Sequence, residues 1–370
     1  MVGVAVFIGC FWLTNHWFWG HHQIIDTPEY QRYGEYIRQG LTPYKNFAVE
    51  YPPGALPAFV LPTFFPGYAS GFAVLMALCG AGCVALVATI RPTPLAVGFV
   101  AVSPLLVGSL VLSRFDFWPT LLMTAALAAF VRDRHTIGWA ALGAAFAVKL
   151  FPGVLMPLAV AWTFFRRGPG TLARGLVAAT VMIAAAFGPF LVIARYGLHQ
   201  SLHDQFVRPL QTETLAASFL MTFAHPLIVN SFGSFNTAHH GGLAALSSIV
   251  QVLVLVALWI GFARGPMDRD RFLRYAAASI CAFVILGKVL SPQYEIWLVP
   301  LIPLVRGRRG ALALGLFTAA LVTTQIYFPG RYFPYVNEQH LAWVVLVRNV
   351  LLLAVLLTLS LPARARLRNA

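Results

Sequence analysis

The sequence contains one long polar stretch near its start, IIDTPEYQRYGEYIRQGLTPYKNFAVEYPP at residues 24–53. The stretch interrupts an otherwise apolar chain and carries an acid near each end, Asp26 and Glu50. Thr27 followed by Pro28 predicts a helix start, because threonine can cap a helix and proline fits its first turn. The stretch therefore predicts a short helix between two membrane segments, in a helical membrane protein.

Aromatic and apolar residues recur at helical spacing within this stretch. Tyr30, Tyr33 and Ile37 fall on one face of the predicted helix, and Gly40 is a natural stop. An amphipathic helix between two membrane segments is expected to lie in the membrane interface. That position would hold Asp26 close to the lipid surface.

The composition of the whole chain is that of a polytopic membrane protein. The 370 residues are 59% hydrophobic and 10% charged, with a mean hydropathy of +0.75. Continuous apolar runs of about 20 residues recur along the chain, which is the length of a transmembrane helix. The first run has no basic leader, so we interpret it as a span and not as a signal peptide.

The net charge of +14 does not indicate a nucleic-acid partner, because most arginines lie in short clusters between apolar runs. Such clusters mark cytoplasmic turns. Together they predict a multi-pass plasma-membrane protein with about twelve transmembrane helices and with both termini in the cytoplasm. The arginine clusters lie at residues 132–134, 166–174, 264–274, 306–309 and 364–368. The predicted spans are 4–19, 71–90, 95–112, 116–131, 137–151, 153–165, 172–194, 242–263, 275–290, 292–305, 310–328 and 341–361.

Residues 54–66 are apolar but too short for a comfortable span, and we predict a half-inserted or broken segment there. The chain 1–370 is predicted to be a single integral membrane domain. Its three polar loops, at 20–53, 195–241 and 329–340, would share the extracytoplasmic face, with amphipathic helices in them.

Charged residues gather at the outer ends of the predicted helices. Lys149 and Lys288 interrupt otherwise apolar helices, and Arg114 and Asp116 stand at another outer helix end. Ionisable groups within membrane segments are costly, so each is a functional candidate. Acids outside the cytoplasmic clusters also map to the outer side: Asp26, Glu29, Glu35, Glu50, Asp116, Asp204, Glu213, Glu295 and Glu338.

Carboxylates beside cations at a lipid–water boundary suit transfer chemistry on a lipid phosphate. A carboxylate can take the proton of an attacking hydroxyl. Lysine, arginine or histidine can neutralise the departing phosphate. Such a site needs no soluble nucleotide, which would be on the other side of the membrane.

An ordered set of motifs resembles the GT-C superfamily of membrane glycosyltransferases, in particular glycosyltransferase family 87. The family comprises polyprenyl-phosphate-mannose-dependent α-mannosyltransferases of the bacterial envelope. The motifs are Asp26 and residues 40–44, 50–53, 114–116, 143–152, 208–213 and 288–297.

The resemblance implies a GT-C fold and an inverting transfer of a sugar, with mannose favoured, from a polyprenyl phosphate donor. The acceptor would be a hydroxyl of an extracytoplasmic glycolipid or glycan, without a cofactor and without an essential metal. The family's catalytic base maps onto Asp26. Some members also use a histidine from a later loop, for which His225 or His340 could match.

We therefore predict three groups of site residues. Asp26 is the predicted catalytic base. The predicted donor-phosphate ligands are Lys149, Lys288, Arg208, His225 and Arg114. The predicted acceptor or sugar ligands are Glu50, Tyr51, Asp116, Glu213, Gln293 and Tyr294.

Simpler interpretations stay open for several of these residues. Asp26 could only cap a helix, and Lys149 and Lys288 could extend to the headgroups. Arg114 and Asp116 could form a structural ion pair. Gln293 and Tyr294 could only satisfy the turn at 292. Histidine pairs at 199/203 and 239/240 have ligand spacing, although loop histidines are common near headgroups.

A transporter or lipid flippase is the alternative class of protein. It would share the apolar composition and the buried lysines. It should also show inverted halves and a site near the middle of the membrane. Here the polar residues gather toward one face, and the two halves do not mirror each other.

Overall fold

A computed structural model describes residues 1–18 and 24–361, with only the backbone of Phe18. The predicted arginine cluster at 364–368 and the first residues of the loop 20–53 lie outside the described residues. Within them, the fold is a bundle of helices with one short β-hairpin.

The helices are α1 Val2–Leu13, α2 Thr27–Arg38, α3 Leu56–Val60, α4 Tyr68–Ile90, α5 Pro94–Val107, α6 Leu110–Ser113, α7 Phe117–Phe130, α8 His135–Val148, α9 Met156–Arg167, α10 Pro169–Ile193, α11 Arg195–Val207, α12 Leu215–Phe223, α13 Gly241–Ala263, α14 Arg269–Leu286, α15 Glu295–Leu298, α16 Gly307–Tyr327, α17 Tyr332–Glu338 and α18 Ala342–Ser360. The strands are β1 Ile228–Ser231 and β2 Ser234–Thr237. Short 3-10 helices occupy Pro53–Ala55, Leu61–Phe64, Phe151–Leu155, Pro292–Tyr294 and Ile302–Leu304, and a π-helical turn follows α1 at Thr14–Phe18.

Five of the described helices, α4, α10, α13, α16 and α18, are long and apolar enough to cross a membrane. They identify a helical membrane protein. The other predicted spans coincide with helices of 18 residues or fewer, or with broken helical segments. The number of crossings therefore stays a prediction.

Prolines and glycines explain why several of these segments are short. Helix α5 contains Pro104 and ends at Gly108, whose φ of +68° few side chains would tolerate. The predicted span 292–305 is not a continuous helix, because Pro292 and Pro303 stand in 3-10 turns on either side of α15. Residues 54–66 also form separate helical turns, as predicted, and their depth in a membrane stays a prediction.

Helix α2 confirms the predicted helix but not its predicted cap. It begins at Thr27, so Asp26 takes the position before the helix, and its carboxylate accepts no capping hydrogen bond. Gly40, with a φ of +84°, follows the end of the helix. The buried rings of Tyr30 and Tyr33 contact Phe59 of α3, with centroid distances of 4.7 and 5.7 Å. Protein therefore covers the apolar face of α2.

The predicted second loop, 195–241, is folded. It contains α11, α12 and the hairpin, in which Ile228 pairs with Thr237 and Ser231 with Ser234. The hairpin turn is Phe232-Gly233, and both residues have positive φ, as a tight two-residue turn requires. This loop, the loop at 24–53 and α17 surround the site described next.

Candidate functional site

A cavity of about 1300 Å³ lies among these loops and the ends of α8 and α14. Ten of the twelve predicted site residues line it. They are Asp26, Glu50, Tyr51, Arg114, Lys149, Arg208, Glu213, Lys288, Gln293 and Tyr294. The structure therefore brings together residues from five separate parts of the sequence.

Asp26 forms an ion pair with Arg114 at the cavity wall. The side chain of Asp26 is 32% exposed and that of Arg114 is 8% exposed. The Tyr30 hydroxyl, one helical turn further on, donates a hydrogen bond to Asp26 Oδ2 at 3.3 Å. Because α2 leaves the carboxylate free of capping bonds, Asp26 faces the cavity with two donors fixing its position.

Lys149 forms the second ion pair, with Asp116. The Lys149 Nζ–Asp116 Oδ1 distance is 2.7 Å, and the indole of Trp297 donates to the same oxygen at 2.6 Å. The predicted ion pair between Arg114 and Asp116 is wrong, because each pairs with a different residue. Asp116 is 1% exposed and is not among the residues that line the cavity, so its predicted contact with acceptor or sugar gains no support and stays a prediction. Asp116 holds Lys149 in place.

Four aromatic rings surround the Lys149 ammonium. Its nitrogen lies 4.9 Å from the ring centroid of Phe115, 5.2 Å from Trp297, 5.4 Å from Tyr294 and 5.9 Å from Tyr51. Aromatic faces attract cations at such distances. The side chain is only 14% exposed, so Lys149 does not extend to headgroups but presents a fixed cation at the cavity.

Lys288 and Arg208 are cations that bond to backbone oxygens and not to carboxylates. Lys288 Nζ donates to the backbone oxygen of Phe206 at 2.6 Å, and an Arg208 nitrogen donates to that of Phe232 at 2.5 Å. Neither forms an ion pair with any residue that the structure describes. Their charges remain available to an anion.

Glu50 stands at the cavity edge beside Arg208. Burial raises the pKa of the Glu50 carboxyl, Arg208 opposes that shift, and Glu29 and Asp204 add to it. The Gln205 amide donates to the backbone oxygen of Glu50 at 2.9 Å, which ties this part of the first loop to α11.

Glu213 reaches the cavity from a buried network. It is 1% exposed, and Oε1 accepts a hydrogen bond from the Tyr327 hydroxyl at 2.9 Å. Its backbone oxygen accepts bonds from Arg348 and Asn349 on α18, at 3.0 and 3.1 Å. Burial raises the pKa of Glu213 to about 7, and the nearby Arg348 opposes the shift.

Gln293 and Tyr294 line the cavity and also satisfy local contacts. Gln293 accepts a hydrogen bond from the Ser291 hydroxyl, within the turn. Tyr294 stacks on Trp297 with centroids 4.1 Å apart. Trp297 stacks in turn on Phe151, at 3.8 Å, so these rings form one rigid part of the wall.

The histidine predictions gain no support from the structure. His225 is exposed with a φ of +46° and does not line the cavity, and the exposed His340 pairs with Glu338 at 3.2 Å. His199 and His203 stack with centroids 6.1 Å apart. Across 1–18 and 24–361, no group of three metal-ligating side chains converges.

One wall of the cavity is apolar and was not predicted. Ile183, Phe187 and Leu191 of α10 contribute to it, together with residues of α13 such as Val252. Of the five long apolar helices, α10 and α13 are the least buried. Only 6% and 17% of their most apolar 18 residues are buried inside the protein. The cavity thus joins a polar, charged side to helices whose surfaces are otherwise exposed and apolar.

Comparison with known proteins gives a family. The sequence matches Glycosyltransferase family 87 over residues 49–292, a range that contains Glu50, Arg114, Lys149 and Lys288. No curated protein matches the sequence. Among solved structures, the fold is similar to that of ArnT from Cupriavidus metallidurans bound to undecaprenyl phosphate. The TM-score is 0.49, with 14% identity, over 97% of this chain and 76% of that chain. Since the family match covers more than half of the 370 residues, the chain belongs to glycosyltransferase family 87.

Proposed function

We propose that this protein transfers a sugar from a polyprenyl phosphate donor to a hydroxyl of an extracytoplasmic glycolipid or glycan, with inversion at the anomeric carbon. One observation carries the proposal: the carboxylate of Asp26 shares one cavity with four cations and an apolar wall. Family membership supplies the reaction class and favours a transferase over a transporter or flippase.

The two sides of the cavity match the two parts of such a donor. The wall of α10 and α13 offers apolar surface for a polyprenyl chain. Lys288 and Arg208, which lack carboxylate partners among the described residues, offer charge for the phosphate. Charge-assisted hydrogen bonds to phosphate are the strong ones, which favours this orientation of the donor.

Asp26 is the proposed general base. Its carboxylate removes the proton of the acceptor hydroxyl as that oxygen attacks the anomeric carbon. The bond between this carbon and the phosphate oxygen breaks, and the phosphate leaves with the electron pair. Attack from the face opposite the phosphate inverts the configuration. Lys149, Lys288 and Arg208 stabilise the negative charge that develops on the leaving group.

The remaining parts of the proposal rest on the sequence. Mannose is the proposed sugar because of the resemblance to the family's α-mannosyltransferases. A single GT-C membrane domain of about twelve spans in the plasma membrane, with the cavity facing outward, rests on the arginine clusters.

The test is transfer by the purified protein supplied with polyprenyl-phosphate-mannose and a membrane acceptor fraction. Asp26→Asn should lower the transfer rate by about 10²- to 10⁴-fold, the usual contribution of a general base. Donor binding should persist. Glu35→Gln is the matched control, since this exposed acid of α2 faces Gln31 and not the cavity. Full activity of Asp26→Asn would contradict the assignment of Asp26 as the general base.

A further inference from the structure

A second, smaller groove of about 560 Å³ lies beside the cavity. One of its sides is formed by α2 and residues 44–50, and the other by α11 with Phe232. The groove and the cavity share four lining residues. These are Glu29, Glu50, Gln205 and Arg208.

Helix α11 separates the two spaces. Leu202 and Phe206 face the cavity, whereas Gly197, Ser201 and Asp204 face the groove. The residues that face the groove recur at the three- to four-residue spacing of one helix face. Because α11 presents one face to the cavity and another to the groove, the groove is a separate compartment beside the apolar wall.

Two close contacts hold the walls of the groove in place. A side-chain carbon on Gly197 would come within 1.8 Å of the Tyr44 backbone oxygen, so a glycine lets α11 approach the loop. Near the other end of α11, Gln205 bonds the backbone of Glu50. The groove lies between these contacts, and it meets the cavity at Glu50.

The lining is polar but balanced in charge. Three acids, Glu29, Glu50 and Asp204, stand against three bases, which are Arg32, Lys45 and Arg208. Such a balance disfavours a free polyanion. Amide side chains and aromatic rings complete the lining, with Asn46, Gln200, Gln205, Tyr33, Tyr44 and Tyr196. Many donors and acceptors together with aromatic faces suit a neutral ligand rich in hydroxyls.

One buried group in the groove lacks a partner. Ser201 is 8% exposed, and its hydroxyl forms no hydrogen bond with any residue that the structure describes. Buried polar groups are normally satisfied, so the Ser201 hydroxyl is a candidate hydrogen-bonding group beside the groove.

We propose that the groove binds the neutral saccharide part of the acceptor and delivers its hydroxyl to Asp26 past Glu50. This inference rests on the proposed function and adds the acceptor's binding site and its chemical class. The donor and the acceptor then reach the reaction centre from opposite sides of α11.

The experiment is ligand-detected saturation-transfer NMR on the purified full chain, with millimolar α-mannobiose, maltose and, separately, inorganic phosphate. Ala48→Trp places a large ring in the groove from its exposed wall, and Gln200→Ala removes an amide that bonds Asp204 at 2.7 Å. His199→Ala is the control, because this exposed residue of α11 lines neither space.

We expect a disaccharide signal with the wild type and with His199→Ala. Gln200→Ala should weaken binding by roughly 3- to 10-fold, the cost of one hydrogen bond, and Ala48→Trp should abolish it. Equal signals from all four proteins, no disaccharide signal from the wild type, or a phosphate signal lost in the groove variants would overturn the proposal. If one groove variant fails to fold, the other decides.

Two assays separate this inference from the proposed function. Groove-dependent saccharide binding without any transfer supports the groove and contradicts the transferase mechanism. Transfer that does not change in the groove variants supports the transferase mechanism and contradicts the groove as the acceptor site. In an active enzyme, Gln200→Ala should raise the KM for the acceptor and leave the KM for the donor unchanged.

Discussion

The indole of Trp297 and the ammonium of Lys149 donate to the same carboxylate oxygen of Asp116, at 2.6 and 2.7 Å. Trp297 also lies 5.2 Å from the Lys149 nitrogen across its ring face. Asp116 and Trp297, from separate parts of the sequence, thus position the Lys149 cation at the cavity.

Asp116→Asn should therefore be among the most damaging single substitutions. It removes the counter-charge of a cation that is almost fully buried, and breaking a buried pair in this way typically costs about 3–5 kcal/mol. We expect a marked fall in the thermal unfolding temperature of the purified protein in detergent. Trp297→Phe should cost less, about 1 kcal/mol, because it removes one hydrogen bond and keeps the ion pair. Equal losses from both substitutions would contradict this account.

Most of the residues that line the cavity could be predicted from the sequence, but the ion pairs that they form could not. Lys149 and Lys288 stood out because charge inside apolar helices is costly, and both line the cavity. Arg114 and Asp116 seemed natural partners, being two residues apart. Yet Asp116 directly precedes α7 and follows an extended Arg114, and residues two apart at a helix start do not face each other. The true partners, Asp26 and Lys149, are distant in sequence.

The histidines show a different limit of sequence reasoning. His225 was assigned to the donor phosphate because some members of the family that the sequence resembles use a histidine from a later loop. The loop 195–241 folds into helices and a hairpin with strands of four residues, too short for a clear alternating pattern, so the sequence did not show where its histidines would lie. The apolar wall of α10 and α13 was missed for a related reason, since apolar helices do not reveal which side faces a cavity.

Lys288 should act on the donor and not on the acceptor. Lys288→Gln removes a cation that has no carboxylate partner among the described residues, so the fold should tolerate it. We expect the KM for polyprenyl-phosphate-mannose to rise by roughly 10-fold, the loss of one charge-assisted hydrogen bond to phosphate. Lys288→Arg should restore much of the affinity. A change confined to the acceptor KM would place Lys288 elsewhere in the reaction.

Glu213 should make stability depend on pH. Burial raises its pKa to about 7, above the ordinary 4.5, so the folded protein holds this proton more tightly than the unfolded chain. The stabilising contribution is complete below pH 4.5 and is lost as the pH rises through about 7. Glu213→Gln keeps an oxygen for the Tyr327 hydroxyl and cannot ionise. Thermal unfolding between pH 4.5 and 8 should therefore vary less in the variant. An unchanged profile would show that Glu213 does not titrate there.

Gly197 offers a direct test of how closely α11 and the first loop approach. An added methyl group would meet the Tyr44 backbone oxygen at 1.8 Å, a distance that backbone atoms cannot accommodate without moving. Gly197→Ala should therefore cost about 1–3 kcal/mol through overpacking, although alanine is the better helix former. It should also change the groove and raise the acceptor KM, while Asp26 and the cations stay in place.

Gly315→Ala in α16 is the matched control for that substitution. Gly315 is also helical, but apart from its chain neighbours and its own helix backbone nothing lies within 4 Å of the position that its side-chain carbon would take. The same change should there be neutral or stabilising by about 0.5–1 kcal/mol, the helix preference of alanine over glycine. Opposite shifts in unfolding temperature for the two variants would locate the difference in the α11–Tyr44 contact. If both variants were stabilised, the walls of the groove would have to be further apart than the structure places them, and the groove itself would be in question.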